Sequence, residues 1–275
     1  MILVTGANGN VGSELVTQLA AKNEVRALVR SRGGMTLPSN VEAVAGDLNR
    51  PESLAAALRG VRGVFLLGGY RDMPAVLTEI RKAGVEHVVL LSSRSVVGGD
   101  PTNAIVQMWM TSEEAVRSSG VAWTFVRPGG FASNALRWLP QLRTGDVVRV
   151  PFAKAPIASI DPHDIAAVAA VALTTHGHAS KSYALSGPEA QLPATQVAIL
   201  AKVLGRDLRF EAQLDDEARI ELAKSAPPGF VDAFFRFFVK GEFDDATVLP
   251  TVQEITGHAP RTFEQWARAH AADFQ

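Results

Sequence analysis

The feature that most narrows what this chain can become is the turn Thr5-Gly6-Ala7-Asn8-Gly9-Asn10-Val11-Gly12. It follows a short apolar run at 2–5 and precedes a stretch, 13–21, that puts Leu15, Val16, Leu19 and Ala20 on one helical face. A strand that meets a helix through glycines spaced three apart needs backbone without a Cβ, because the chain reverses tightly and another group must approach it closely. The helix start adds unpaired N–H groups and the positive end of the helix dipole, so the expected guest is an anion, above all the pyrophosphate of a dinucleotide. Gly6, Asn8, Gly9, Asn10, Val11 and Gly12 are the residues expected to hold it.

Strand and helix patterns keep alternating beyond this turn. Apolar runs at 25–29, 41–45, 61–67, 85–91 and 123–126 are separated by helical patterns at 51–58, 73–83 and 111–119. That alternation predicts an α/β fold, a doubly wound parallel Rossmann sheet with helices on both faces. After Arg127-Pro128-Gly129-Gly130 the pattern loosens. Later segments predict a helix at 162–173, a strand at 182–185, a helix at 193–204 and a Phe-rich helix at 229–239, and Thr262-Phe263-Glu264-Gln265 fits a capping box. The expected organisation is a dinucleotide-binding domain over 1–128, with returning segments near 155–186, and a smaller, mainly helical lobe over 129–154 and 187–275 that covers the substrate.

Composition excludes several alternatives. With 47% hydrophobic residues, 20% charged residues and a formal net charge of -1 over 275 residues, the chain can bury a substantial core and shows no polybasic character. Neither nucleic acid nor an anionic membrane is an expected partner. The absence of cysteine removes disulfides, thiolate nucleophiles and iron–sulfur clusters and suits a reducing compartment. The longest plainly apolar stretch, 165–173, is far short of the roughly 18 residues of a membrane span. No targeting segment is evident, and a cytoplasmic location is expected. His176 and His178 lack zinc-type spacing, and capping accounts for His163 between Asp161 and Asp164, so no metal site is expected.

The choice of dinucleotide is set just past the second strand, where an acid would bind the 2′-hydroxyl of NAD. No acid occurs from 25 to 41; the strand runs instead into Val29-Arg30-Ser31-Arg32. A guanidinium can pair bidentately with a 2′-phosphate, so Arg30 points to NADP(H). Asp47, after the third strand, stands where it could accept from the adenine amino group with Leu48 against the ring, or it could simply cap the helix near 51. Gly68 and Gly69 end the fourth strand and would let a sugar-phosphate pass closely.

These motifs, with Leu91-Ser92-Ser93, Trp123-Thr124-Phe125-Val126-Arg127-Pro128-Gly129-Gly130-Phe131, Ile160-Asp161-Pro162-His163-Asp164-Ile165-Ala166 and Leu185-Ser186-Gly187-Pro188-Glu189, resemble the NmrA-like branch of the atypical short-chain dehydrogenase/reductase family. The resemblance covers most of the chain. It implies an NADP(H)-binding Rossmann domain with a small helical lobe closing over a cleft, and it brings Gly129, Gly130 and Phe131 near the nicotinamide carboxamide. Its members include quinone and azo reductases as well as regulators that bind the dinucleotide without consuming it.

The wider family's Tyr-x-x-x-Lys pair is missing. Tyr70 and Tyr183 are the chain's tyrosines, and Pro74 and Gly187 stand four residues further on. No lysine occurs from 83 to 153, and Trp109 occupies approximately the place where several NmrA-like relatives carry a catalytic lysine. Hydride addition to an ordinary ketone makes a strongly basic alkoxide and benefits from a nearby acid, whereas a quinone gives a delocalised, weakly basic anion. The expected function is therefore NADPH-dependent reduction of a quinone or similar conjugated aromatic acceptor, the alternative being a non-catalytic NADP(H)-binding sensor acting through a protein partner. Ser93, Gln107 and Trp109 are the candidate helpers, Ser93 because it matches the serine that orients substrate in relatives. Phe230, Phe234, Phe235, Phe237, Phe238 and Phe243 either pack as core or as a subunit contact, in keeping with a homodimer, or wall the substrate pocket.

Overall fold

The structure, a computed structural model, describes residues 1–31, 37–227 and 229–274. Seven strands form one parallel sheet in the order β3-β2-β1-β4-β5-β6-β8. They are β1 Ile2–Val4, β2 Val25–Val29, β3 Val41–Ala45, β4 Gly63–Leu67, β5 His87–Leu91, β6 Ala122–Pro128 and β8 Lys181–Leu185. The order reverses between β1 and β4, and this switch point opens the crevice at the carboxyl ends of the strands where α/β sheets bind ligands. Helices α1 Asn10–Ala20 and α6 Pro162–Thr174 pack together on one face, while α2 Ala55–Leu58, α3 Met73–Lys82 and α4 Ala104–Ser118 cover the other. Strands of a doubly covered parallel sheet should be apolar throughout, and every residue of β1 and β2 is buried.

The C-terminal portion holds more strand than a mainly helical lobe suggests. β7 Val147–Val150 pairs in parallel with β9 Arg209–Ala212, and α5 Leu139–Leu142, α7 Pro193–Leu204 and α11 Phe263–Ala269 gather with them around the fully buried Trp266. Five more helical pieces lie here among the described residues: the 3-10 helix Ala132–Trp138, α8 Asp215–Ala223, α9 Phe230–Phe238, α10 Thr251–Thr256 and a short 3-10 turn, Ala271–Phe274. The capping box at α11 is present, with Thr262 Oγ1 accepting from Gln265 N–H and Gln265 Oε1 accepting from Thr262 N–H.

Helix α4 begins seven residues before the expected 111. Asn103 caps it, its side-chain oxygen accepting from the backbone N–H groups of Ile105 and Val106, and those two residues are buried against Ala233 and Phe237 of α9. Among the described residues no helix is long and apolar enough to cross a membrane.

Candidate functional site

The glycine turn is as tight as its spacing predicts. Gly6 adopts φ +61, and a Cβ there would sit 2.4 Å from Leu67 Cδ1; one on Gly12 would sit 2.0 Å from Gly6 O. The turn closes through Gly9 N–H donating to Gly6 O at 2.8 Å, and α1 starts at Gly9 with no side-chain cap and no acid in its first turn. Asn8, Gly9 and Asn10 are exposed, while Val11 is buried in the core, so Val11 can offer a guest only its backbone. Asn10 Nδ2 donates to Ser133 Oγ at 2.9 Å, linking the turn to the segment after β6.

A cleft of about 460 Å3 runs from this cradle across the ends of β2 and β3. Arg30 and Ser31 line one side and Asp47, Leu48 and Asn49 another, with Leu67 and Tyr70 closing it. Arg30 is exposed in the cleft mouth; Arg32 lies outside the described residues. Asp47 does not cap the following 3-10 turn Pro51–Leu54, whose N-cap is Arg50. Its Oδ1 accepts from Asn49 N–H and Nδ2, and its Oδ2 stands 3.8 Å from Arg50. Tyr70, which sequence reasoning weighed only as half of a missing pair, sits between these charges. Burial raises its phenol pKa, the Asp47 carboxylate adds to the shift and the Arg30 guanidinium opposes it. A cradle that no Cβ could share and a cleft edged by a guanidinium fit an adenosine 2′-phosphate and pyrophosphate.

At the other end of the crevice the expected residues are spread over three settings. Ser93 Oγ accepts from Ser95 N–H at 3.2 Å and lies 3.0 Å from Ser95 Oγ, capping the 3-10 turn Arg94–Val96. Trp109 packs against Gly68, where an added Cβ would meet its ring at 2.8 Å, and it also joins the Phe cluster. Gln107 is exposed and lines a separate groove of about 270 Å3 with Gly69, Tyr70 and Thr111. Gly69 N–H donates to Ser112 Oγ. No hydrogen bond joins Ser93, Gln107 and Trp109 among the described residues.

Two buried charge networks escaped the sequence reading. Glu113, 2% exposed, accepts from Ser92 Oγ at 2.7 Å, from Arg127 Nε and Nη2 at 2.8 and 2.6 Å and from Arg117 at 2.8 Å, locking the ends of β5 and β6 to α4. Asp245, 4% exposed, lies 3.3 Å from Arg94 and accepts from Gly130 N–H. Burial pushes its carboxyl up to about 7 against the pull of Arg94 and that N–H. A buried arginine next to a Ser-Ser pair at a strand end was the available signal, since such a cation needs an acid partner. Gly129 N–H donates to Leu185 O, and Phe131 bridges to Ile160 and packs on the core.

Several other polar residues have structural partners. Tyr183 OH lies 2.7 Å from His178 Nδ1 on the far edge strand, away from the cleft. Asp161 caps α6 by accepting from His163 N–H, and His163 Nδ1 lies 3.1 Å from Glu14. Among the described residues, no cluster of His, Cys, Asp or Glu is placed to hold a metal ion. Phe235 and Phe237 are buried, and Phe230, Phe234, Phe238 and Phe243 are half-buried against α4.

Comparisons with known proteins agree with this cradle. Residues 6–176 match the family model described as NAD(P)H-binding. The chain is 44% identical over its whole length, and 99% of the relative's, to the (4-alkanoyl-5-oxo-2,5-dihydrofuran-3-yl)methyl phosphate reductase of Streptomyces griseus. It is 35% identical, again over 100% of this chain and 99% of the relative, to the NAD(P)H azoreductase of Xenophilus azovorans. The fold of the NADPH-dependent quinone oxidoreductase from Escherichia coli superposes with a TM-score of 0.77 at 23% identity, covering 100% of both chains. The chain therefore belongs to the NAD(P)H-binding family and is an oxidoreductase, as its full-length relatives are.

Proposed function

We propose that this oxidoreductase reduces a quinone or a similarly conjugated, electron-poor acceptor at the expense of NADPH, and does so without a tyrosine–lysine pair. One observation carries the reading: the tight glycine turn opens a cleft beside Trp109, whose ring packs on Gly68, and the resemblance puts Trp109 approximately where several relatives carry a lysine. Bound NADPH supplies a hydride. The chain's own part is then to hold the acceptor still, exclude water and stabilise the negative charge left on it.

Those tasks fit the groups present. Acceptors whose reduction leaves a delocalised, weakly basic anion need hydrogen-bond donors rather than a strong acid. The Ser93 hydroxyl can donate when Ser95 Oγ is the donor in the bond between the two hydroxyls, which leaves the Ser93 proton for the acceptor, and the Trp109 indole N–H and the exposed Gln107 amide are the other donors we assign. The arrangement is favoured by what the full-length relatives are named for: an alkanoyl-substituted unsaturated lactone in one case and azo compounds in the other. In each, the reducible bond is conjugated with groups that spread negative charge. We further assign residues 129–154 and 187–275 to a lobe that covers this acceptor, with the half-buried Phe234 and Phe238 as its apolar wall.

The test is NADPH oxidation by purified protein, followed through the loss of reduced-nicotinamide absorbance, with quinones, azo compounds and acylated unsaturated lactones beside simple ketones. Saturable turnover of the conjugated acceptors with none of the ketones is expected. Tight NADPH binding with no turnover of any acceptor would sink the proposal in favour of a dinucleotide sensor.

A further inference from the structure

Residues 244–249 are stitched to the sheet half of the molecule around a single carboxylate. Arg94 Nη1 donates to Thr247 O at 2.9 Å and Nη2 to Asp244 O, while Nη2 lies 3.3 Å from Asp245 Oδ1. Ala158 N–H donates to Asp245 O at 2.7 Å, and Leu249 N–H to Ser186 Oγ at 2.8 Å. The Asp245 side chain turns inward and accepts from Gly130 N–H, at 3.0 Å to Oδ2 and 3.2 Å to Oδ1.

The carboxylate explains why two glycines stand together here. A Cβ on Gly129 would sit 2.3 Å from Asp245 Oδ1, and one on Gly130 2.9 Å from Oδ2. The turn is pinned on its other sides as well: Gly129 N–H donates to Leu185 O, Ile160 N–H donates to Gly130 O, and Ala132 N–H donates to Ile160 O. A buried ion pair is a poor source of net stability, because taking both charges out of water offsets most of their attraction. What such a pair gives is placement. Here the thing placed is the backbone from Gly129 to Phe131, at the carboxyl end of β6, while the glycine cradle and Arg30 lie at the other end of the crevice.

We propose that Asp245, held by Arg94, is a positioning residue that fixes the Gly129–Gly130–Phe131 turn as the seat for the nicotinamide end of NADPH and takes no part in holding the adenosine end. The proposal rests on the assignment of the nicotinamide end to that turn. It predicts a split that a general loss of packing would not produce, because the two ends of the cofactor can be probed separately. 2′,5′-ADP carries the adenosine and its 2′-phosphate and has no nicotinamide.

The experiment titrates NADPH and 2′,5′-ADP into the full chain and its Asp245→Asn and Phe131→Ala variants, reading nicotinamide fluorescence for the first ligand and calorimetry for both. Asp245→Asn is expected to weaken NADPH about tenfold, leave 2′,5′-ADP within about twofold and diminish the fluorescence change on binding. Arg94→Gln, which removes the same pair from its other side, should give the same split and serves if Asp245→Asn does not fold. Equal effects on both ligands, or none, overturn the proposal and leave Asp245 a purely structural residue. A selective loss in Phe131→Ala alone overturns it while keeping the seat at this turn; no selective loss in either variant places the seat elsewhere.

Discussion

Arg30 and Asp245 stand at opposite ends of the crevice and call for opposite measurements. Arg30 is exposed, so its worth lies in a charge-assisted pair with a phosphate rather than in packing. Arg30→Ala should weaken NADPH binding by about 1–3 kcal/mol and leave NADH nearly unchanged; equal losses in a paired titration would remove the 2′-phosphate assignment. Asp245 is buried and titrates instead. Its folded carboxyl is raised to about 7 by burial, with Asp244 adding to the shift and Arg94 and the Gly130 N–H opposing it. An unfolded aspartate releases its proton near 3.9 (approximately). Between roughly pH 4 and 7 the folded chain therefore holds the extra proton, and this residue's contribution to stability grows as pH falls and is lost as pH rises through the folded value. His87 and His178, whose pKa values burial lowers, pull the other way below their ordinary range, so the informative quantity is a difference. Melting curves of wild type and Asp245→Asn across pH 4.5–8 (an approximate span) should show wild type gaining on the variant toward acid. A constant offset would mean that Asp245 keeps an ordinary pKa.

At the scale of elements, legibility followed how local the stabilising contacts are. The glycine turn could be read because its constraint is short-range: Gly12 packs on Gly6 and Gly9 bonds to Gly6 within one loop. Strands β1, β2, β4 and β5 were legible as apolar runs because both faces of a parallel sheet are covered. Helix α8 was not, since it is exposed along most of its length with Ala218 as its buried residue, and it leaves almost no periodic pattern. The early start of α4 was missed because its first turn is buried by Ala233 and Phe237, more than a hundred residues downstream, so its apolar residues did not read as a helix face. The cap itself was visible in hindsight as Asn103 ahead of Ala104-Ile105-Val106. Asn103 also donates from Nδ2 to Ala233 O and is 1% exposed, so Asn103→Ala removes a cap, leaves the buried N–H groups of Ile105 and Val106 without their side-chain acceptor and loses a tie to α9. A loss of about 2–3 kcal/mol in denaturant unfolding is expected; a loss below about 0.5 kcal/mol would mean that the cap contributes little to α4.

Taken whole, the molecule separates what local sequence can encode from what only the closed chain creates. The residues that line the larger cleft cluster within short stretches, at 6–9, 28–31 and 46–49, so that end of the crevice was legible one segment at a time. The other end was not, because Asp245 meets Arg94 and Gly130 across separations of 151 and 115 residues and no pattern within any of these segments announces its partner. That asymmetry has a thermodynamic consequence. If NADPH spans both ends, its binding free energy adds to the stability of the folded chain as RT ln(1 + [L]/Kd), about 2.7 kcal/mol at a hundredfold excess over Kd. For a chain of this size each kcal/mol moves the melting temperature by roughly 2–4 °C, so NADPH should raise it by roughly 5–10 °C. NADH at the same concentration should raise it less, because it lacks the 2′-phosphate that the sequence reading assigns to Arg30, and 2′,5′-ADP should stabilise the Asp245→Asn variant as much as it stabilises wild type. A cofactor that bound by its adenosine end alone would, like 2′,5′-ADP, stabilise the Asp245→Asn variant as much as wild type at the same ligand concentration, and thermal melts with the three ligands would show it.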